Sequence, residues 1–417
     1  MITIFHTGNS KLLENASMLF LLNITKLILP FISLPYLTRV LSTDSYGSVA
    51  YIKSVIGYMQ VLVDFGFILS GTKDVVAALN DSKKLNVIIG NTLMARIMVS
   101  FLAFFILLIA TAFIPILREN ILFTILSFLP VFLSIFLFDF VFRGIEKMQV
   151  ITIRYLVMKS ISTALIFLAI KNDSDIIKMP VIDTISSLIA VVLVFLNLQK
   201  ENIKICISSV SDVFEKLKDS FLYFLSSVAA QSFNAVNTIV AGLFLLKTDI
   251  AYWSVCLQII GAIQFFYSPI TDGIYPEMLR SRNFNIIKKC ICIFQPLILI
   301  GCVAAYFLAE FGLNIVGGSK YIEAAPIFRL LILVLFFSFP AMVLGWPALG
   351  ALQKVKEVTI STVCAVIFQL TGLFILLFTN RFTLVTIAVL RCMAEFVLFS
   401  CRLLFCVKFR KDFVRGG

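Results

Sequence analysis

Lys53, Gly57, Gln60 and Asp64 are spaced i, i+4, i+7 and i+11 in an otherwise apolar stretch. At 100° per residue these positions form one narrow polar stripe along a single helix. The residue types suit binding and electrostatics: an ammonium that can hold an anion, an amide that bonds hydroxyls, and a carboxylate that can take a proton or pair with a base. The stretch is long enough to cross a bilayer. A charged stripe inside a membrane is expensive, so it must face a wet cavity or a partner group.

Other apolar stretches carry similar faces. One holds Asn23, Lys26 and Pro30; another holds Ser227, Gln231, Asn234, Thr238 and Gly242; a third holds Ser254, Gln258, Gly261, Ser268 and Asp272. The bland account of the neutral positions is interhelical hydrogen bonding, which holds membrane helices together. For Lys26 and Lys53 that account is weaker, because a cation there needs an anion, water or an acid, and acids are scarce nearby. Arg96 (beside Thr92 and Ser100) and Lys159 (beside Ser162 and Thr163) are further candidates for anion contact. Asp139 with Arg143, and Arg391 with Glu395, are spaced for intrahelical pairs, and Arg154, Arg280 and Arg329 can snorkel from helix ends. Asp64, Asp183, Asp272 and Glu310 are the acids available to a coupling proton or sodium ion, with Asp64 and Asp272 on the polar faces. Basic groups in a deep cavity with few acids suit an anionic substrate such as a lipid-linked diphosphate sugar. Its phosphates would take charge-assisted hydrogen bonds from Lys and Arg, its glycan would occupy the polar lumen, and its lipid tail would stay in the bilayer. No bond is made or broken, so neither an enzyme nor a resident cofactor is expected.

The elements that must position these residues follow from hydropathy. The chain has 417 residues, 60% hydrophobic and 14% charged, with a mean hydropathy of +1.03. Soluble domains run at about 25% charged, and no soluble fold could hide this much apolar surface. Twelve spans are expected, near 11–40, 45–70, 87–114, 119–142, 150–170, 176–198, 217–246, 250–273, 288–310, 326–350, 357–379 and 382–407. The expectation is an all-α polytopic membrane protein of two six-helix lobes around a central cavity. Residues 1–198 would form the first lobe, 199–216 a cytoplasmic linker and 217–417 the second lobe. The first span is too long for a signal-peptide core and is expected to be retained. Lys and Arg divide 22 to 7 between the two sets of loops and tails, which places both termini in the cytoplasm. That rule also accounts for the net charge of +12; no segment offers the soluble basic surface that nucleic acid would need.

The two halves echo one another. Lys11 matches Lys216 and Thr43–Asp44 matches Thr248–Asp249 at an offset of 205, and Gly57–Gln60 resembles Gly261–Gln264 at 204. Two six-span repeats of the same orientation would place a substrate site between them near the midplane. Pro30 and Pro35 should kink the first span. The nine cysteines, among them Cys256, Cys302, Cys364 and Cys392, sit mostly in apolar runs and read as small buried hydrophobes. The sole histidine, His6, lies in the N-terminal tail, which excludes an intramembrane metal site built on imidazole.

The segment NITKLILPFISLPYLTRVLSTDSYGSVAYIKSVIGYMQVLVDFGFILSGTKDVV resembles the start of Wzx-type O-antigen flippases, in the polysaccharide-transport branch of the multidrug/oligosaccharidyl-lipid/polysaccharide exporter superfamily. The likeness rests on Pro30, Pro35, Leu37–Arg39, Tyr46–Gly47, Asp64–Phe67 and Ser70–Gly71. It implies movement of undecaprenyl-diphosphate-linked repeat units from the cytoplasmic to the periplasmic leaflet of the bacterial inner membrane by alternating access, coupled to H+ or Na+. Cationic residues on the first helices are typical of such proteins, and Lys26 and Lys53 occupy such places. A monomer is the default expectation for this architecture, and the expected partners are membrane lipid and the polysaccharide polymerase and chain-length machinery. The alternatives are a lipid-precursor flippase of peptidoglycan synthesis, which commonly carries extra helices, and a multidrug exporter of the same superfamily, which usually places acids in its cavities. A polymerase or glycosyltransferase would need a large external loop with catalytic Arg, Asp or His. Here Asp173 and Asp175 form the only close external acid pair, and they are placed to cap the sixth span.

Overall fold

The computed structural model describes the backbone of residues 2–413, and the side chains of residues 14–413 apart from 226, 229, 230 and 232–234. The described residues are predominantly helical and divide into two compact units, Met1–Gln231 and Ser232–Gly417. The first unit runs α1 (Ile2–Val40), α2 (Thr43–Asp64), α3 (Phe67–Ala77), α4 (Ser82–Phe113), α5 (Pro115–Glu119), α6 (Ile121–Leu133), α7 (Asp139–Gly144), α8 (Met148–Ala169) and α9 (Lys178–Lys200). Then α10 (Val210–Phe244) straddles the boundary, and the second unit continues with α11 (Lys247–Phe265), α12 (Ser268–Ser281), α13 (Phe284–Phe307), α14 (Ala309–Gly317), α15 (Ala325–Val343), α16 (Val355–Phe378) and α17 (Leu384–Lys408). Among the described residues eleven helical segments are long and apolar enough to cross a membrane; α10 is the twelfth long helix, its first turns carrying Asp212, Glu215, Lys216, Lys218 and Asp219. The outward faces expose large apolar groups such as Phe101, Phe105, Phe307, Phe378 and Leu404, as expected of surfaces solvated by lipid.

The two series of helices correspond one to one. In each, the second span is broken in the middle (α2/α3 and α11/α12), a short helix follows the third span (α5 and α14), and the fourth span is interrupted (α6/α7 by a 3₁₀ turn at Ser134–Leu137, α15 by a π-helical segment at Leu344–Gly350). The shared sequence of breaks extends the repeat well beyond the few matched residues. The breaks also correct the expectation of unbroken second and eighth spans. At the α2/α3 break Phe65 (φ 40°) and Gly66 (φ 73°) are both left-handed, which ends a right-handed helix outright. Glycine is required at 66 for space as well, since an added Cβ would lie 2.5 Å from Tyr223 Cβ.

The expected linker is not a loose tether. The carbonyl of Asn86 accepts from Cys206 N at 3.2 Å. Asn91 accepts from Ser208 N at 3.1 Å and donates to Ser208 Oγ at 2.8 Å. Lys216 then pairs with Asp74, Ser70 bonds Ser220 at 2.7 Å, and Phe65 stacks on Phe224 at 4.5 Å. These contacts hold the start of α10 in the first unit, and the boundary between units falls at Gln231/Ser232, beyond the 199–216 segment. Gly90 permits the strap to lie against α4, because a Cβ there would stand 2.0 Å from the Cys206 carbonyl oxygen. Gly90→Ala should therefore cost about 1–3 kcal/mol as an overpacking change. Thermal denaturation of the purified protein should register a lowered midpoint, and an unchanged midpoint would show that the strap can lift at no cost.

Smaller expectations resolve locally. Asp175 closes the 3₁₀ turn ahead of α9, accepting from Lys171 N at 2.9 Å, whereas Asp173 accepts from Ser42 N at 2.8 Å, at the connection between α1 and α2. Arg391 and Glu395 form the expected pair at 3.0 Å, both buried. Cys256, Cys302 and Cys392 are buried as expected, whereas Cys364 is exposed on the outer face of α16. Arg329 does not simply snorkel, since it bonds Glu310 at 2.9 Å and Tyr306 O at 3.2 Å.

Candidate functional site

A cavity of about 580 Å³ opens inside the first unit. Its charged lining is contributed by Lys26 of α1, Lys53 and Asp64 of α2, Arg96 of α4, Asp139 of α7, Arg154 and Lys159 of α8, and Asp183 of α9. Three residues of the α2 stripe, Lys53, Gln60 and Asp64, thus face the cavity. Lys26, Lys53, Gln60, Asp64, Arg96 and Lys159, expected to look into a cavity between lobes, line this one among the helices of the first unit.

The acids that seemed scarce along each single helix arrive from neighbouring helices. Arg96 Nη2 meets Asp64 Oδ1 at 3.0 Å, Arg154 Nη2 meets Asp139 Oδ1 at 2.7 Å, and Lys159 Nζ lies 3.8 Å from Asp183 Oδ1. Asp183 also accepts from Ser162 Oγ at 2.6 Å. Two expectations are corrected. Asp139 pairs with Arg154 and not with its helix neighbour Arg143, and Arg154 is buried at 4% exposure instead of snorkelling. The reason is the left-handed Phe138 (φ 48°) ahead of α7, which ends the preceding 3₁₀ turn and turns Asp139 into the cavity.

Helix breaks supply both ends of this arrangement. Asp64 is the last residue of α2 before Phe65 turns left-handed, and the 3₁₀ turn before α7 leaves carbonyls without α-helical partners. Arg96 answers both: beside its bond to Asp64, its Nη1 donates to Ile135 O in that turn at 3.2 Å. Gln60 donates to Ser134 Oγ at 3.1 Å in the same turn. Arg96 and Gln60 therefore serve first to fasten broken backbone, and both remain in the cavity wall.

With three acid–base pairs made, two cations are left over. Lys26 sits 5.5 Å above the ring of Tyr155, and Lys53 is exposed on the cavity wall. Neither forms a hydrogen bond or an ion pair with the described residues. The lining holds five basic and three acidic side chains, so the cavity carries an excess of two positive charges. Arg154 adds donor capacity, because its Nε and Nη1 are buried without a hydrogen-bond partner among the described residues. The sequence pattern pointed at Lys26, Lys53, Gln60, Arg96, Lys159 and Asp64, all of which line the cavity. It did not bring out Arg154, Asp139, Asp183 and Tyr155 as members of one site; the i, i+5 step from Arg154 to Lys159 along α8 was the available signal.

The remaining expected positions lie elsewhere. Asn23 is exposed on α1 and Gln258 is exposed on α11, where it donates to Ser254 O at 3.3 Å; neither is in the cavity lining. Gln231 lies beside Gly57, its Nε2 3.6 Å from where a Cβ would stand. Asp272 is exposed on α12. The side chain of Asn234 lies outside the described residues. In the second unit Asn237 and Gln369 bond each other at 3.0 Å, which is interhelical bonding of the structural kind.

Comparison with known proteins places this arrangement in context. Residues 12–282 match the sequence model of a family described as polysaccharide biosynthesis protein. The chain is 24% identical over 304 residues, 72% of its length, to 73% of an Escherichia coli (strain K12) protein named "Putative O-antigen transporter". It is 23% identical over 279 residues, 66% of its length, to 69% of a Shigella dysenteriae protein of the same name. Among solved structures it shares its fold with lipid II flippase MurJ in an inward closed conformation (TM-score 0.69, 16% identity, 96% of this chain and 89% of that one). It also shares it with an inward-facing multidrug resistance transporter of the MATE family of the MOP superfamily (TM-score 0.65, 12% identity, 93% and 99%).

Proposed function

Since this chain belongs to the polysaccharide biosynthesis protein family, we propose that it is a flippase that moves a lipid-linked polysaccharide precursor across the membrane it spans. It is a multi-pass membrane protein, and the two relatives reported above carry the name of an O-antigen transporter. The observation that carries the reading is the surplus of two positive charges, Lys26 and Lys53, in a cavity where every acid already has a basic partner. A diphosphate brings the two negative charges such a cavity lacks, and charge-assisted hydrogen bonds to Lys and Arg hold it. The same surplus disfavours a cationic drug as cargo.

In this proposal the cargo is an undecaprenyl-diphosphate-linked O-antigen or related repeat unit, carried from the cytoplasmic to the periplasmic leaflet of the inner membrane by alternating access. The lipid tail remains in the bilayer, so the protein shields only the polar headgroup. Both termini are cytoplasmic, which the loop charges support. Coupling to H+ or Na+ and docking of the polymerase and chain-length machinery belong to the same proposal.

The test is a strain lacking the gene. Surface polysaccharide should be missing, with lipid-linked repeat units accumulated on the cytoplasmic face. Intermediates that reach the periplasmic face unpolymerised would point to a polymerase, and unchanged surface glycan would overturn the reading.

A further inference from the structure

A second cavity, of about 730 Å³, is a groove between α13 and α15 in the second unit. Its walls are apolar: Leu299, Val303 and Phe307 of α13, Leu330 and Leu333 of α15, and Val385 of α17. Leu299, Val303, Phe307 and Leu333 are exposed, and at the depth of a membrane span an exposed apolar wall is wetted by hydrocarbon. Charged and aromatic hydroxyl groups gather at one end only. There Arg329 lies 5.5 Å above the ring of Tyr306. Its Nε donates to the Tyr306 carbonyl in the last turn of α13 at 3.2 Å, and its Nη2 meets Glu310 Oε1 at 2.9 Å. These three contacts fix the guanidinium. They leave Arg329 Nη1 and Glu310 Oε2 without a hydrogen bond to the described residues. The side chains are 30% and 57% exposed, and an exposed pair of this kind contributes little to stability. Leu299 lies seven residues before Tyr306, so the apolar wall runs about 10 Å from the polar end, within one leaflet of a hydrocarbon core about 30 Å thick.

A free donor on a cation and a free acceptor on an anion, side by side at the head of an apolar groove, match a zwitterion that carries a hydrocarbon chain. We infer that the groove binds a glycerophospholipid with a phosphoethanolamine headgroup. One acyl chain lies along α13 and α15, the phosphate accepts from Nη1 of Arg329, and the primary ammonium donates to Oε2 of Glu310. The charge pattern selects among membrane lipids. A phosphatidylglycerol headgroup brings a phosphate without a cation, which sets its charge against Glu310. A phosphatidylcholine headgroup brings a quaternary ammonium with no N–H to donate. In the proposed orientation the site faces the periplasmic leaflet, because α13 runs outward from Lys288 and Lys289. The inference does not depend on what the cavity of the first unit carries.

Native mass spectrometry of the full-length protein tests this, with phosphatidylethanolamine, phosphatidylglycerol and phosphatidylcholine of the same acyl chains supplied in equal amounts. The unaltered protein should retain phosphatidylethanolamine about tenfold over either competitor, the preference expected from one charge-assisted hydrogen bond. Glu310→Gln should abolish the preference over phosphatidylglycerol. Arg329→Gln should lower retention of phosphatidylethanolamine about tenfold, and Arg329→Lys should keep part of it. Val303→Trp fills the groove from a half-exposed position and leaves the ion pair intact. It should lower retention of all three lipids with no change in the thermal midpoint, which separates loss of the ligand from loss of the fold. Equal retention of the three lipids by the unaltered protein would overturn the inference. A preference for phosphatidylglycerol would also do so, by reducing Arg329 to a plain anion contact. A preference for phosphatidylethanolamine that survives both Glu310→Gln and Val303→Trp would place the lipid elsewhere and overturn it as well.

Discussion

Replacing Lys53 by alanine is expected to cut export of surface polysaccharide at least tenfold while leaving the protein in the membrane at its normal level. Lys53 forms no hydrogen bond or ion pair with the described residues, so truncating it breaks no internal contact of that kind, and Asp183 keeps Lys159 and Ser162 as partners. What is lost is one charge-assisted hydrogen bond to the cargo, worth about 1.5–3 kcal/mol, together with half of the cavity's positive surplus. Lys26→Ala should behave similarly, with the added loss of its contact over Tyr155. Lys53→Arg should keep part of the activity because the charge survives. Gel profiles of surface polysaccharide, read beside immunoblots of the membrane fraction, measure both quantities. Normal glycan in both alanine variants would refute the role assigned to the lysines.

The opposite pattern is expected at Arg96. This side chain, 6% exposed, joins α4 to Asp64 at the end of α2 and to the Ile135 carbonyl in the turn before α7. Arg96→Met leaves a partly buried carboxylate and a freed carbonyl without their donor. Removing one partner of a buried pair costs about 3–5 kcal/mol, so the variant should be depleted from the membrane and unfold at lower temperature. Asp64→Asn in the same chain removes the uncompensated charge and should restore much of the loss; the double-mutant cycle isolates the pair from the other contacts of Arg96. If Arg96→Met were as stable as the unaltered protein but inactive, Arg96 would act on the cargo and not on the helix breaks. The two substitutions thus separate cations held in reserve for a ligand from cations consumed by the fold.

What could be read from the chain alone follows from periodicity and hydropathy. The apolar stretches dictated twelve helices in two series, since a single stretch of about 20 apolar residues satisfies its own backbone hydrogen bonds in lipid only as a helix. The 100° spacing of Lys53, Gly57, Gln60 and Asp64 put them on one face, and Lys53, Gln60 and Asp64 line a cavity. Caps with a local cause, such as Asp175 ahead of α9, and the i, i+4 pair of Arg391 with Glu395 were legible for the same reason: both partners lie within one turn or two. Tertiary structure alone decided the rest. Asp64, Asp139 and Asp183 find Arg96, Arg154 and Lys159 from a distance of 15 to 32 residues along the chain, and no pattern on a single helix shows which side chains face one another across a packed bundle. The left-handed residues Phe65 and Phe138 break spans that hydropathy sees as continuous, because hydropathy senses the side chains while the break lies in φ. Those breaks turn the acids inward to neutralise three of five cations. Which two lysines remain for a ligand was therefore settled by packing between helices, and it is that remainder from which the function is inferred.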